Sequence, residues 1–172
     1  IQQVLQNLLR ERVPIRDMVS ILEVLTTKAR EIKDVNLLSE AVRQALGRTI
    51  CNQYKADDHA LHVITLGPSL EQLMAQAIQP TEQGMMVSID PGLAQYVLEE
   101  MAKQMEKVAG KGYQPVLLVS SRIRQPLQRF IHRSLPHMAV LSFSEVPTDC
   151  DVFAEGMVEL DSHLEAGKPG TA

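Results

Sequence analysis

The side chains best suited to chemistry in this sequence are a histidine–aspartate run, a serine pair, two cysteines and an arginine-rich segment. His59 and His62, with Asp57 and Asp58 beside them, are the ligand types a divalent metal takes. They open an alternating apolar run, however, and strand residues three apart point to opposite faces, so the two imidazoles diverge. The run is read as a polar linker with a surface histidine. Ser120 and Ser121 follow the apolar stretch Val116-Leu117-Leu118-Val119, the kind of strand end where α/β folds hold ligands. No Gly-x-Ser-x-Gly turn surrounds them, and a hydroxyl there is expected to cap the following helix. Gly67-Pro68 lacks the further glycines and the lysine of a phosphate loop. Cys51 and Cys150 fit no paired motif and are expected as reduced thiols. Arg122, Arg124, Arg129, His132 and Arg133 make a locally basic segment, either a solvated helix face or a contact to an acidic partner. His132, His137 and His163 are ordinary surface candidates. No catalytic, cofactor-binding or metal-ligating residue is assigned, and the chain is expected not to be an enzyme. The competing expectation is a small-molecule-binding α/β enzyme domain with a helical extension.

Composition narrows the function classes. The chain has 172 residues, 45% of them hydrophobic and 22% charged, as in an ordinary globular protein. Aromatics make up only 3%, so the core must come from aliphatic residues and the eight methionines. A net charge of −4 provides no global positive field to collect phosphates, which argues against nucleic acid as a partner. No apolar run approaches the ~18 residues of a membrane helix, and no signal peptide is evident. The chain opens on Ile1 inside an apolar helical period and is read as a piece of a longer protein.

Periodicity then gives the elements. Ile1, Val4, Leu5, Leu8 and Leu9 mark one face of a helix over 1–12. Pro14 suits the first turn of a second helix with Ile15, Met18, Val19, Leu22 and Leu25 on its stripe. Asp34 is an N-cap for a third, burying Leu38, Val42, Ala45, Leu46 and Ile50, with Glu40 and Arg43 on its exposed side. After a polar link at 54–59 the period becomes strand-like. Strands are expected at 61–66, 85–89, 116–120 and 138–142, with a short last one near Val152 to Val158. Helices are expected at 68–78, 91–109 and 123–135, the second capped by Asp90 with Pro91 at its first position. The fold class is mixed α+β / α/β: a small all-helical bundle over 1–58, an α/β sandwich subdomain with parallel strands over 59–160, and a disordered tail over 161–172.

The run from Val4 through Leu8-Leu9, Glu11, Val13, Ile15-Arg16-Asp17, Lys33-Asp34 and Val42-Arg43-Gln44-Ala45-Leu46-Gly47-Arg48 carries a further signal. With Leu70-Glu71, Asp90-Pro91, Pro115 to Val119, Arg129, Leu141-Ser142 and Glu145, it resembles the C-terminal cytoplasmic region of the type III export-gate family. Leu46-Gly47-Arg48 and Leu135-Pro136 are closer to its flagellar branch than to its virulence-injectisome branch. The resemblance implies that 1–58 is the third cytoplasmic subdomain and 59–160 the fourth. It implies a protein on the cytoplasmic face of the bacterial inner membrane, anchored by segments upstream of residue 1. The implied partners are other copies of itself in a nonameric ring, export chaperones, export substrates and other export-apparatus proteins, with no cofactor. The ring would dock chaperone–substrate complexes and take part in export switching. Arg16, Asp17, Lys33, Asp34, Arg43 and Arg48 are then subunit-interface candidates, since charges fixed at helix ends suit orientation-specific contacts. Alternatively, Arg16 and Asp17 brace the Pro14 joint within one subunit.

Overall fold

The computed structural model describes residues 1–161. Its first helix, α1 (Gln2–Arg10), buries Val4 and Leu8 and stops in a Schellman turn. There the Arg12 N–H donates to the Leu9 carbonyl at 3.0 Å and the Val13 N–H to the Leu8 carbonyl at 2.9 Å. Leu8 and Val13 are both buried, the apolar contact that accompanies this turn. Arg12 sits at φ 58°, a left-handed conformation that costs a residue with a β-carbon roughly 1 kcal/mol.

Pro14 does not open the second helix, contrary to expectation. Helix α2 (Met18–Lys28) starts later because Asp17 takes the cap, accepting from the Ser20 N–H at 3.1 Å and the Ser20 hydroxyl at 2.6 Å. Its inward face is also rotated from the one expected: Ile21 and Leu25 are buried, whereas Val19 and Leu22 are exposed. Asp34 caps α3 (Val35–Ala45) as expected, accepting from Asn36 N–H at 2.7 Å and Leu37 N–H at 3.1 Å. The apolar stripe that continues to Ile50 belongs to a separate helix, α4 (Gly47–Tyr54). At that joint Gly47 lies against the Glu145 carbonyl, where an added β-carbon would collide with backbone.

From here strands and helices alternate. Strand β1 (Leu61–Leu66) leads to α5 (Pro68–Gln76), then to a hairpin of β2 (Ile78–Thr81) and β3 (Gly84–Val87). The sequence signals β3 but not β2, whose Gln79-Pro80 is poor strand chemistry; Gly84 at φ 106° turns the chain between them. Helix α6 (Pro91–Gly110) is capped by Asp90, which accepts from Gly92 and Leu93, and Gly112 at φ 85° follows it. Strand β4 (Val116–Val119), helix α7 (Ser121–Ile131), strand β5 (Ala139–Ser142), a single 3₁₀ turn (Phe143–Glu145) and strand β6 (Val152–Val158) complete the described chain. The tail expected over 161–172 lies outside the described residues, apart from Asp161.

The main sheet is parallel throughout, in the order β5-β4-β1-β6. Each inner strand is buried on both faces, which is why β4 reads as a run of apolar residues without polar alternation. One face carries Ile64, Leu66, Leu117, Val119 and Val140 against Met74, Val97, Met101 and Leu127 of α5, α6 and α7. The other carries Leu61, Val63, Val116, Leu118 and Leu141 against Val4, Leu8, Ile21, Val42 and Ile50 of the helical part. The helices of 1–58 therefore share a core with the sheet and pack directly on it. This is the mixed α/β architecture that the periodicity implies.

Candidate interaction surface

The helical part and the sheet are joined by a cluster of buried charges. Arg124 on α7 has no solvent-accessible surface. Its guanidinium donates to both oxygens of Glu11 at 2.6 and 3.2 Å, and to Glu40 through Nε at 2.6 Å and through Nη2. Arg43 on α3 donates from Nε to Glu145 at 2.7 Å and from Nη1 to Glu11 at 2.9 Å. Both guanidiniums also reach the Val140 carbonyl of β5, at 3.3 and 3.4 Å. The second oxygen of Glu145 accepts from the Ser142 N–H at 2.6 Å and its hydroxyl at 3.0 Å, closing the 3₁₀ turn.

Electrostatics in this cluster follow from burial competing with pairing. Burial works to raise the Glu11 pKa, but the guanidiniums of Arg124 and Arg43 prevail and hold it below the usual carboxylate range. At Glu40 burial, helped by the nearby Glu11 charge, prevails over its bonds to Arg124 and the attraction of Arg124 and Arg43, and the pKa rises. Burial would lower the Arg124 pKa, yet Glu11 and Glu40 push it up and keep it charged.

Three expectations are corrected here. Arg43 cannot mate directly with a neighbouring copy, because it is 3% exposed and held by Glu11 and Glu145. Glu40 and Arg43 do not form an exposed pair on α3; Glu40 points to Arg124 and Arg43 to the 3₁₀ turn. The basic segment of α7 is no continuous solvated face, since Arg124 is interior and Arg129 donates to the Gln83 carbonyl at 2.8 Å and Asn36 at 2.9 Å. Sequence spacing places a charge on an element but not the element's rotation against its neighbours.

The other interface candidates lie at the surface. Arg16 is exposed, without a hydrogen-bond or ion-pair partner among the described residues. Asp17 and Asp34 serve as the helix caps described above. Lys33 donates to the Ala29 carbonyl at 2.9 Å, closing the end of α2. Arg48 forms a two-pronged pair with Asp149 at 3.0 and 3.1 Å, with both side chains 63% exposed.

His62 is a fourth correction. It is 6% exposed, not a surface residue. Its Nδ1 lies 2.6 Å from Glu155 and its Nε2 2.8 Å from Asp58, and its ring stacks on Tyr113 at 3.6 Å between centroids. Two carboxylates facing the two ring nitrogens are satisfied together only by the imidazolium, which donates from both. Burial works to lower the His62 pKa, but the bonds to Glu155 and Asp58 prevail and raise it. Glu155 arrives there because β6 shifts register between Ala154 and Gly156, and such a bulge re-aims a side chain. Lys111 pairs with the other Glu155 oxygen at 2.7 Å. His59 stands apart in an exposed turn at φ 63°. No group of three or more metal-ligand types gathers among the described residues.

Ser120 does not cap α7 with its hydroxyl, as was expected of it; its N–H donates to Glu71 of α5 at 3.1 Å. Burial pushes the Cys51 thiol up to about 12, and both cysteines are free. The residues whose role the sequence did not disclose, Glu11, Glu71, Arg124 and Glu145, are all long-range ties between elements. A charge beside an otherwise apolar stripe, as Arg43 stands beside Leu38, Val42 and Leu46, is the signal that could have pointed to a buried counter-charge such as Glu11 or Glu145.

Residues 1–151 match the FHIPEP family. The flagellar biosynthesis protein FlhA of Proteus mirabilis is 42% identical over 146 residues, covering 85% of this chain and 20% of that protein. The nonameric SctV-C of EPEC, solved by cryo-EM, superposes with a TM-score of 0.81 at 31% identity, over 91% of this chain and 47% of that one. The Chlamydia pneumoniae CdsV in its complex with CdsO gives a TM-score of 0.81 at 28% identity, over 90% and 46% of the two chains. The chain spans between 20% and 24% of the length of the curated relatives of Proteus mirabilis and Bacillus subtilis.

Proposed function

Because the chain belongs to the FHIPEP family, we propose that it is a stretch of the C-terminal cytoplasmic region of a type III protein export gate and acts through protein contacts. The observation that carries this reading is its likeness to nonameric SctV-C at 31% identity across nearly the whole chain. The flagellar branch is favoured, since identity to the Proteus mirabilis flagellar relative reaches 42%. Among the described residues no helix is long and apolar enough to cross a membrane. In this reading the membrane anchor belongs to another part of the protein, and this stretch works at the cytoplasmic face of the bacterial inner membrane.

Residues 1–58, taken as the third cytoplasmic subdomain, would hold neighbouring copies in register. Exposed Arg16, Lys33 and Arg48, with the capping Asp17 and Asp34, offer charges at helix ends, and Leu9, Val19 and Leu37 add exposed apolar surface on α1, α2 and α3. Such a mixture suits an oriented contact: burial gives affinity and the charges give register. Residues 59–160, the fourth subdomain, would form a wall of the gap that docks chaperone–substrate complexes and takes part in switching between export substrates. The complex of CdsV with CdsO supports contacts to a second, different protein.

Sedimentation velocity tests the ring. In the cytoplasmic region with its native upstream residues restored, Arg16→Glu with Lys33→Glu should shift the assembly from ring to monomer, leaving the circular dichroism spectrum unchanged. A ring that persists removes these residues from the interface. The same pair in the chromosomal copy of a flagellated host should abolish swimming in soft agar.

A further inference from the structure

Helices α1 and α7 end at the same place, on either side of a cleft of about 420 Å³. Arg10 at the end of α1 and Arg12 in the turn after it line the cleft, which runs on into a second depression that shares Arg10 and adds Arg133, just past the end of α7. These three arginines are exposed, and none has a hydrogen-bonded or ion-paired side-chain partner among the described residues. Among the described residues the one carboxylate in either lining is Glu11, held by Arg43 and Arg124. The C-terminal dipoles of the two helices supply only about half a negative charge each, so they do not offset three guanidiniums. A net positive cleft therefore stands in a chain of net charge −4.

Arg12 adds an independent observation. It occupies the left-handed position of the Schellman turn, φ 58°, which glycine fills without strain. A strained residue that carries a free charge into a cleft points to a ligand there. The rest of the lining indicates what kind. Gln114 and Gln128 present amides that both donate and accept, as an extended backbone requires, and Gln53, whose Nε2 donates to the Arg12 carbonyl at 3.4 Å, adds an accepting oxygen. Tyr54 is the one Phe, Tyr or Trp among the described residues of the main cleft, beside the imidazoles of His132 and His137, and the chain's net charge of −4 disfavours a nucleic acid there.

We propose that this cleft docks an acidic, extended segment of a partner protein, whose carboxylates meet Arg10, Arg12 and Arg133 and whose backbone meets the glutamine amides. The proposal rests on reading the chain as a docking module. Its test measures peptide binding and not ring assembly, so either can fail alone.

The probe is a fluorescein-labelled peptide of repeated Glu-Leu-Asp units, followed by fluorescence anisotropy against the whole chain. A Lys-Leu-Arg peptide and an oligouridine RNA serve as competing probes. Binding of the acidic peptide should weaken as salt rises from about 50 to about 300 mM. Arg12→Gly should melt no lower than the parent, because glycine suits that backbone. Each exposed ion pair is worth about threefold, so Arg12→Gly with Arg133→Ser should weaken the peptide about tenfold. Unchanged affinity in the double variant, absence of binding to the parent, equal binding of the basic peptide, or tighter binding of the RNA would each overturn the assignment.

Discussion

Two sets of arginine–carboxylate contacts in this molecule use the same chemistry for opposite ends. Arg124 and Arg43 meet Glu11, Glu40 and Glu145 in the seam between helices and sheet, where both arginines are at most 3% exposed. Arg48 meets Asp149 with similarly good geometry, yet both side chains are 63% exposed. In the seam the charges have left water, so each depends on its partners, and removing one strands the rest. At the surface water replaces either partner at little cost. Geometry alone would rank the two alike; burial separates them. The interior cluster therefore sets how the helical part sits on the sheet, whereas surface charges remain available to other proteins.

The contrast can be broken first where its effect is largest. Arg124→Ala should cost about 3–5 kcal/mol of stability in urea unfolding, because Glu11 and Glu40 lose a buried counter-charge. A loss below about 1 kcal/mol would show that the seam tolerates uncompensated carboxylates. Gly47→Ala probes the same seam without touching charge, pressing a methyl onto the Glu145 carbonyl; about 2 kcal/mol should be lost, read from the same unfolding curves. Asp34→Ala removes the cap of α3 and should cost about 1 kcal/mol, seen as a lower urea midpoint.

His62 sharpens the comparison through pH. Its folded pKa lies above its ordinary value, so its contribution is fully present below that value and fades as pH rises through the raised one. Asp58 is depressed by bonds from the Ala60 N–H and His62, and Glu155 by bonds from Lys111 and His62. Their contributions are present above the ordinary carboxylate range and fade on acidification. An NMR titration should therefore place the His62 midpoint above that of a free histidine, and a midpoint below it would deny the imidazolium between two carboxylates. The smallest effect belongs to Arg48→Ala, which should leave the melting temperature where it was.

Much of the fold was legible. Asp34 and Asp90 announced their helices because a carboxylate just before an apolar period satisfies free N–H groups locally. The apolar run at Val116 to Val119 announced a strand buried on both faces. The Pro14 joint was misread because Asp17 competed for the cap, a contest between neighbours that spacing does not rank. Strand β2 was missed since Gln79-Pro80 is held by its partner β3 and not by its own propensity. Of the interface candidates, Arg43 was misplaced for want of one quantity, the rotation of α3 against β5 and α7. The basic cleft was invisible for a similar reason: Arg10 and Arg133 are more than a hundred positions apart in the chain.

By itself the sequence determined the local structure: where helices cap, which faces are apolar, and which ordered set of residues resembles an export-gate family. Those features depend on groups within a few residues of one another, and the period of burial records them. Only the tertiary structure decided which charges are interior ties and which face solvent. Burial is set by elements arriving from distant parts of the chain, and it changes the worth of an ion pair without changing a single letter of the sequence.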